Sequence, residues 1–210
     1  MHPEKWFRSK TRVGGTKQLH LDKIAELKPD LILANKEENT KAQIEALQKD
    51  FKVYVSDIGN LADALKMIRE VGELTDRQTQ AEKLVRDIQK EFDQMGELPL
   101  KGKKVIYLIW QKPYMTVGGD TFIHDMLQRC VLKNCFGAQK RYPEISLADM
   151  QKATPDLIFL SSEPFPFKEK HRKEFQTLLP QAKTVLVDGE MFSWYGSRLL
   201  KVPGYFKVTR

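Results

Sequence analysis

The chain has 210 residues, of which 41% are hydrophobic and 30% are charged. These values are typical of a globular protein that buries a sizeable core, and they argue against a disordered chain. The formal net charge of +7 comes from 35 Lys and Arg residues scattered among 28 Asp and Glu residues, so no nucleic-acid partner is expected.

The first predicted elements form a helix–strand–helix–strand unit. A short helix is predicted over residues 21–27, and Pro29 ends it because its ring clashes with the preceding turn and it has no amide proton. The apolar run 31–34 predicts a strand buried on both faces. A helix with Ile44 directed inward and a strand over 53–55 follow, an order typical of a parallel α/β unit.

Two amphipathic helices are predicted next, between residues 61 and 97. Their apolar stripes consist of Ala62, Leu65, Ile68, Val71 and Leu74, and of Ala81, Leu84, Val85, Ile88, Phe92 and Met95. Thr75 and Gln78 form a capping-box pattern, so the second helix is predicted to begin there. Its stripe runs for about 20 residues.

The remaining chain begins with a strong predicted strand, Val105–Ile109. The residues Gly118-Gly119-Asp120 indicate a turn, and Thr121 is predicted to cap a helix over residues 122–132. Cys130 and Cys135 match no zinc signature. If they share that helix, a disulfide between them is geometrically awkward, and we expect small buried residues instead.

An internal repeat relates the two ends of the chain. Residues 27–33 are similar to residues 153–159 at an offset of 126, and the second strand of each copy also corresponds after a short insertion. We therefore interpret the helices between the copies as a bridge. The predicted domains are an incomplete N-terminal lobe over 1–60, bridging helices over 61–97 and a C-terminal lobe over 98–210.

Several stretches together resemble one family, the substrate-binding proteins of ABC importers for cobalamin, haem and iron–siderophores, and the cobalamin-binding branch above all. These stretches are His2-Pro3 with Val13-Gly14-Gly15-Thr16, Leu27-Lys28-Pro29-Asp30-Leu31-Ile32, Gly118-Gly119-Asp120-Thr121-Phe122-Ile123, Thr154-Pro155-Asp156-Leu157-Ile158, and Asp188-Gly189-Glu190-Met191-Phe192-Ser193-Trp194. The resemblance implies an α/β fold of two Rossmann-like lobes with parallel sheets, joined by a long bridging helix. It implies a monomer that is not an enzyme, holds its ligand in a cleft between the lobes and delivers it to a membrane permease.

The chain departs from this family at its N-terminus. Family members normally begin with about one more βα unit, so the first lobe is expected to lack its first βα unit and the chain to be N-terminally truncated. The resemblance implies the periplasm or cell envelope. The N-terminal residues 1–12 lack the apolar core of a signal peptide, so a chain that truly starts at Met1 would stay in the cytoplasm.

Loops at the carboxyl ends of the strands are the expected ligand site. The candidate ligand-binding residues are Trp110, Tyr114, Phe165, Phe167, Phe192, Trp194 and Tyr195. Their flat rings suit a corrin, porphyrin or siderophore, whereas Phe159 and Phe175 are expected in the core. By the resemblance, acidic residues dock on the permease, and the candidates are Glu37, Glu38, Glu163 and Glu190; the family's acidic position also aligns with Lys41.

The histidines are the other residues that could bind a metal. They are His2, His20, His124 and His171, and none pairs with another at a metal-ligand spacing, so neither a metal nor a cofactor is expected.

Two other classes of function stay open on the sequence. An α/β enzyme acting on a nucleotide or sugar is one, because Gly118-Gly119-Asp120-Thr121 before a helix resembles an anion-binding turn, although the G-x-G-x-x-G pattern is missing. Ser161-Ser162-Glu163 has no neighbouring histidine in the sequence to form a catalytic pair. A cytoplasmic interaction module that reuses the fold is the other.

Overall fold

The computed structural model describes residues 3–208, so His2 lies outside the described residues. The chain divides into two compact units, Met1–Asp57 and Ile58–Arg210. The elements of the first unit are α1 Glu4–Ser9, β1 Gly14–Gly15, β2 Gln18–Leu19, α2 Leu21–Leu27, β3 Ile32–Asn35, α3 Lys41–Leu47 and β4 Val53–Ser56.

A two-stranded parallel sheet is the centre of the first unit. In it β3 pairs with β4, with Ile32 beside Val53. Ile24 of α2 and Ile44 of α3 pack with Ala34 on one face of this sheet. Because side chains alternate along a strand, Leu33 points to the other face, where it is 52% exposed. The prediction that this strand is buried on both faces is therefore wrong. The helix–strand–helix–strand order predicted for this region is confirmed.

The second unit has a four-stranded parallel sheet in the order β10-β9-β5-β7. Its elements are α4 Leu61–Leu74, α5 Gln78–Asp93, β5 Lys104–Leu108, β6 Tyr114–Met115, α6 Phe122–Arg129, β7 Lys133–Asn134, β8 Glu144–Ile145, α7 Leu147–Ala153, β9 Leu157–Ser161, α8 Glu169–Leu178, β10 Lys183–Val187, α9 Glu190–Ser193, a 3-10 helix Ser197–Lys201 and α10 Val202–Val208.

Both faces of this larger sheet are covered. Tyr107 and Phe159 belong to an apolar cluster on one face, and Ile106 and Ile158 belong to a second cluster on the other. All four side chains are at most 1% exposed. This is the near-continuous burial expected of parallel strands, and it confirms an α/β fold with parallel sheets. Within residues 3–208, no helix is both long enough and apolar enough to cross a membrane.

The predicted duplication is present in the structure. Helix α2 and strand β3 correspond to α7 and β9, and each strand has a parallel partner that follows one further helix. Ile32 pairs with Val53, and its counterpart Ile158 pairs with Thr184. The insertion in the second copy therefore lies between the two strands.

The capping box predicted at Thr75 is wrong. Its hydroxyl donates a hydrogen bond of 2.7 Å to the carbonyl oxygen of Val71, so Thr75 ends α4 rather than starting α5. Threonine hydroxyls can return to a carbonyl one turn back, and this contact competes with an N-cap. Helix α5 begins at Gln78 without a side-chain cap and has 16 residues, fewer than predicted. Both helices group with the second unit, and their bridging role stays a prediction.

The helix predicted over residues 122–132 ends early, at Arg129. Val131 adopts a left-handed backbone with φ 55°, and the chain turns there into β7. Thr121 caps the start of this helix as predicted, since its hydroxyl oxygen accepts from the amide of His124. Cys130 and Cys135 thus lie on different sides of a turn, and both thiols are free.

Candidate functional site

Three loops follow the parallel strands β5, β9 and β10 of the second unit. Because parallel strands all end at the same edge of a sheet, residues 109–113, 162–168 and 188–196 gather there. The amide of Phe165 donates to the carbonyl oxygen of Ile109 at 3.2 Å, which joins the first two loops. The amide of Ser162 donates to the carbonyl oxygen of Val187 at 3.0 Å, which joins the second loop to the end of β10, where the third loop begins.

Trp110 and Phe165 are brought together at this edge. Their rings meet edge to face with centroids 5.6 Å apart, and the Trp110 residue is 39% exposed. The partly exposed indole and the ring beside it offer apolar surface that a bound ring could cover. The pair is therefore a candidate surface for a flat ligand.

Phe167 and Phe192 were predicted at the ligand site, but they lie in the core. Phe192 is 0% exposed and packs on Tyr107 at a centroid distance of 5.1 Å. Phe167 is 6% exposed and lies against His171. Neither side chain has the accessible surface that direct contact with a ligand requires. Phe159 and Phe175 are buried, as predicted.

Tyr114 and Tyr195 are half-buried. The ring of Tyr114 meets Phe175 edge to face at 5.4 Å, and the ring of Tyr195 meets Phe122 in the same way at 5.2 Å. Each tyrosine therefore packs its ring against a core side chain and keeps part of its surface exposed.

Trp194 and Glu163 were assigned to separate roles from the sequence, yet they are hydrogen-bonded. The indole Nε1 donates to Oε1 of Glu163 at 2.7 Å, and the hydroxyl of Ser193 donates to the same oxygen at 2.8 Å. The two loops also meet where Gly189 donates its amide to Oγ of Ser162 at 2.9 Å. A Cβ on Gly189 would lie 2.6 Å from Cγ of Glu163, so this position requires glycine.

A buried hydroxyl pair supports the loop that carries Glu163. Oγ of Ser161 donates to the carbonyl oxygen of Glu163 at 2.6 Å and accepts from the phenol of Tyr107 at 3.1 Å. Burial raises the pKa of Tyr107, so its phenol stays protonated and remains a donor. The Ser161 hydroxyl therefore has a structural role in this loop.

The four candidate docking glutamates lie in different surroundings. Glu38 is exposed, and its carboxylate accepts from the hydroxyl of Thr16 at 3.3 Å. Glu37 is half-buried beside it, in the loop after β3. Glu190 is ion-paired with Arg198, whose side chain is 21% exposed. Glu163 contacts Trp194 and Ser193, as described above. The equivalent sequence positions of Glu37 and Glu163 thus do not give equivalent environments.

The glycine pair before α6 serves packing. The amides of Gly118 and Gly119 donate to the carbonyl oxygens of Arg141 and Gln139 at 2.7 and 2.8 Å. A Cβ on Gly119 would lie 2.1 Å from the carbonyl oxygen of Gly137, so the backbone comes too close for any side chain. These two amides are therefore not directed at an anion.

The histidines within the described range are dispersed. Nδ1 of His124 is 3.1 Å from the side-chain nitrogen Nδ2 of Asn134, and burial lowers the pKa of the His124 imidazole. Nδ1 of His171 accepts from the amide of Lys168 at 2.8 Å, and His20 is exposed at the start of α2. Across residues 3–208, no group of three or more His, Cys, Asp or Glu side chains is arranged to hold a metal ion.

Sequence reasoning found the three loops but missed the contacts between them. The residues of the Glu163–Trp194 and Tyr107–Ser161 pairs lie far apart in the sequence and belong to no short motif. No periodicity marks such partners, so the only available signal was the placement of both residues after neighbouring strands.

Comparison with known proteins identifies the family to which this chain belongs. Residues 2–185 match the family described as "Periplasmic binding protein". The vitamin B12-binding protein of Vibrio parahaemolyticus serotype O3:K6 is 25% identical over 154 residues, which cover 71% of this chain and 56% of that relative. The chain therefore spans about half the length of the curated relatives that it matches.

Solved structures show the same fold. A possible iron-binding (periplasmic solute-binding) protein from Staphylococcus epidermidis has a TM-score of 0.80 at 24% identity, covering 97% of this chain and 84% of that one. The periplasmic haem-binding protein HutB of Vibrio cholerae has a TM-score of 0.76 at 19% identity, covering 95% and 83%. Because the family match extends over most of its residues, this chain belongs to the periplasmic binding protein family.

Proposed function

We propose that this chain is the solute-binding component of an ABC import system. Its ligand is a cobalamin-like corrinoid, haem or an iron–siderophore, which it delivers to a membrane permease. The observation that carries the proposal is the set of partly exposed aromatic rings, Trp110, Phe165 and Trp194, at the carboxyl edge of the sheet. This edge is where α/β proteins bind ligands.

The chemistry of the exposed rings supports a flat, largely apolar ligand. Aromatic faces and edges pack well on conjugated rings. Each such contact contributes about 0.5–1.5 kcal/mol in addition to the hydrophobic free energy of the apolar area that it buries. Tyr114 and Tyr195 stay among the proposed ligand-binding residues because part of each side chain is exposed. Phe167 and Phe192 are left out because they are buried. Relatives named for vitamin B12 and haem support this ligand class.

Delivery to the permease is proposed to use acidic residues that meet basic ones. Charge complementarity of this kind steers association and fixes orientation. Glu38 is the strongest candidate because it is exposed, with Glu37 beside it. Glu163 and Glu190 would first have to give up their contacts with Trp194 and Arg198. The proposed location is the cell envelope, as for the relatives named periplasmic.

A titration tests the proposal directly. The purified chain is titrated with cyanocobalamin, haemin and a ferric siderophore, and binding is followed by visible absorbance and calorimetry. We expect saturable one-to-one binding of at least one of them. Trp110→Ala and Trp194→Ala should each weaken that binding about tenfold without loss of the thermal transition.

Trp6→Ala is the matched control, because Trp6 is 65% exposed and lies in the first unit, outside the proposed set. It should leave the affinity unchanged. If none of the three ligands binds to a folded protein, the proposed ligand class is wrong.

A further inference from the structure

The carboxylate of Glu163 is the acceptor for the end of a neighbouring loop. Its Oε1 receives the indole N–H of Trp194 at 2.7 Å and the hydroxyl of Ser193 at 2.8 Å. The Ser193 hydroxyl has a second acceptor within reach, the carbonyl oxygen of Gly189 at 2.9 Å. Tryptophan has a single donor. The indole is therefore the group whose hydrogen bond depends on Glu163.

Glu163 is itself held in place by its surroundings. Its amide donates to Oγ of Ser161 at 3.3 Å, and its carbonyl oxygen accepts from the same hydroxyl at 2.6 Å. The backbone of Gly189 lies close on its other side, since a Cβ at position 189 would be 2.6 Å from Cγ of Glu163. The backbone of Glu163 is thus anchored and its Cγ lies against Gly189, so its carboxylate presents a defined acceptor to the indole.

We propose that Glu163 is a positioning residue that orients Trp194 for the ligand. The inference rests on the function proposed above and deepens it, since it assigns to Glu163 a role in ligand affinity in place of the role in permease docking expected from the sequence. Hydrogen bonds to a charged acceptor are among the stronger ones in proteins. Fixing the ring before the ligand arrives removes part of the entropy cost of binding.

This arrangement also restricts what Trp194 offers to a ligand. With its one N–H donated to Glu163, the indole contributes apolar ring surface and no hydrogen bond. A ligand that meets it gains by stacking, so Trp194 favours the extended conjugated face of a macrocycle over a small polar solute.

The test combines ligand affinity with a spectroscopic signature of the indole. Glu163→Ala removes the acceptor, whereas Glu163→Gln keeps an oxygen acceptor of the same shape. Trp194→Phe removes the donor and keeps a ring. Haemin and cyanocobalamin are titrated into the chain and into each variant in the absence of any permease. The Nε1–H resonance of Trp194 is identified by its loss in Trp194→Phe.

Glu163→Ala should weaken binding about tenfold, and Glu163→Gln should stay within about threefold of the unsubstituted chain. The indole resonance should move upfield and exchange faster with water in Glu163→Ala, and it should be largely retained in Glu163→Gln. In the Trp194→Phe background, Glu163→Ala should change the affinity less than about twofold, because the two substitutions break the same contact.

Two results would overturn the positioning role. One is an indole resonance that is indifferent to Glu163→Ala. The other is a Glu163→Ala effect of the same size with Phe at position 194, which would mean that Glu163 acts without the indole. If Glu163→Ala does not fold, Trp194→Phe tests the same bond from the other side and should itself weaken binding severalfold.

The experiment distinguishes failure of the proposed function from failure of the positioning role. If the resonance responds as expected but neither haemin, cyanocobalamin nor the ferric siderophore of the titration above binds to any version, the hydrogen bond stands and the ligand role of both residues is rejected.

Discussion

Lys28 and Thr154 occupy the same position in the two copies of the repeated unit, and both adopt a left-handed backbone conformation, with φ of 45° and 46°. Each ends a seven-residue helix, and each donates its amide to the carbonyl oxygen three residues earlier, that of Ala25 or Gln151. The two copies thus share a helix end as well as a strand order. Outside glycine, this conformation costs about 1–2 kcal/mol.

Lys28→Gly should therefore raise the free energy of unfolding by up to about 1 kcal/mol, because glycine adopts φ > 0 without strain. Lys23→Gly is the matched control, since Lys23 is exposed inside the same helix, where glycine costs about 1 kcal/mol. The unfolding free energy of each variant is measured by urea denaturation, with circular dichroism as the signal. Equal losses in the two variants would contradict the assigned helix end.

Leu33 and Phe159 are a second pair of equivalent positions, but they lie in opposite environments. Leu33 is 52% exposed and Phe159 is 1% exposed. Phe159→Ala should lower the free energy of unfolding by about 3–5 kcal/mol, and Leu33→Ala should lower it by less than about 1 kcal/mol. Urea midpoints at constant m-value provide the comparison. A large loss for Leu33→Ala would show that this face of the first unit is covered in solution.

Gly72 allows α4 and α5 to approach closely, because a Cβ at this position would lie 2.4 Å from Cβ of Ala81. Gly72→Ala should therefore destabilise the protein by about 1–3 kcal/mol, although alanine is the better helix former. Ala81→Gly in the same chain should restore part of the loss. Gly204 in α10 has no atom within 4 Å of such a Cβ, so Gly204→Ala should be neutral or stabilising.

The thermal midpoint of each variant decides this prediction. A stabilising Gly72→Ala would mean that the two helices can move apart at no cost.

His171 should make stability depend on pH. Burial, and then the charges of Lys170 and Lys168, lower the pKa of its imidazole below the ordinary value of 6.5, while Glu174 raises it. As the pH falls below about 6.5, the unfolded chain binds the proton more readily than the folded one, so stability is complete above that pH and is lost as the pH falls towards the lower folded pKa. Protonation at Nδ1 would also break the bond from the amide of Lys168.

His171→Gln cannot titrate and is the comparison variant. The difference in unfolding free energy between the chain and this variant should be constant well above pH 6.5 and should shrink as the pH falls below about 6.5 towards the lower folded pKa. Urea titrations at a series of pH values measure it. A difference that does not change with pH would mean that the imidazole keeps the same pKa in both states.

Local chemistry made much of the fold predictable. Pro29 and Pro155 end helices because of their own ring geometry, and the apolar runs of β5 and β9 become buried parallel strands. The internal repeat indicates that the two ends of the chain share one topology. Helix ends were less predictable. From the sequence, Thr75 could either end α4 or cap the start of α5, and only its hydrogen bond to Val71 shows that it ends α4.

The site was predictable as a set of loops but not as a set of contacts. Phe192 lies in α9 and Trp194 directly follows that helix, yet the first is fully buried while the second keeps exposed surface and donates to Glu163. Nothing in the local sequence distinguishes them.

The sequence by itself therefore determined the α/β class, the repeat, the alternation of helices and strands within each copy and the loops that gather at the carboxyl edge of the larger sheet. Those features depend on residue spacing and on interactions within a few residues of the chain. Only the tertiary structure decided which aromatic rings are buried, that Glu163 binds Trp194 and that Glu190 pairs with Arg198. Such choices depend on which side chains packing brings together from separate loops, and spacing along the chain does not encode that.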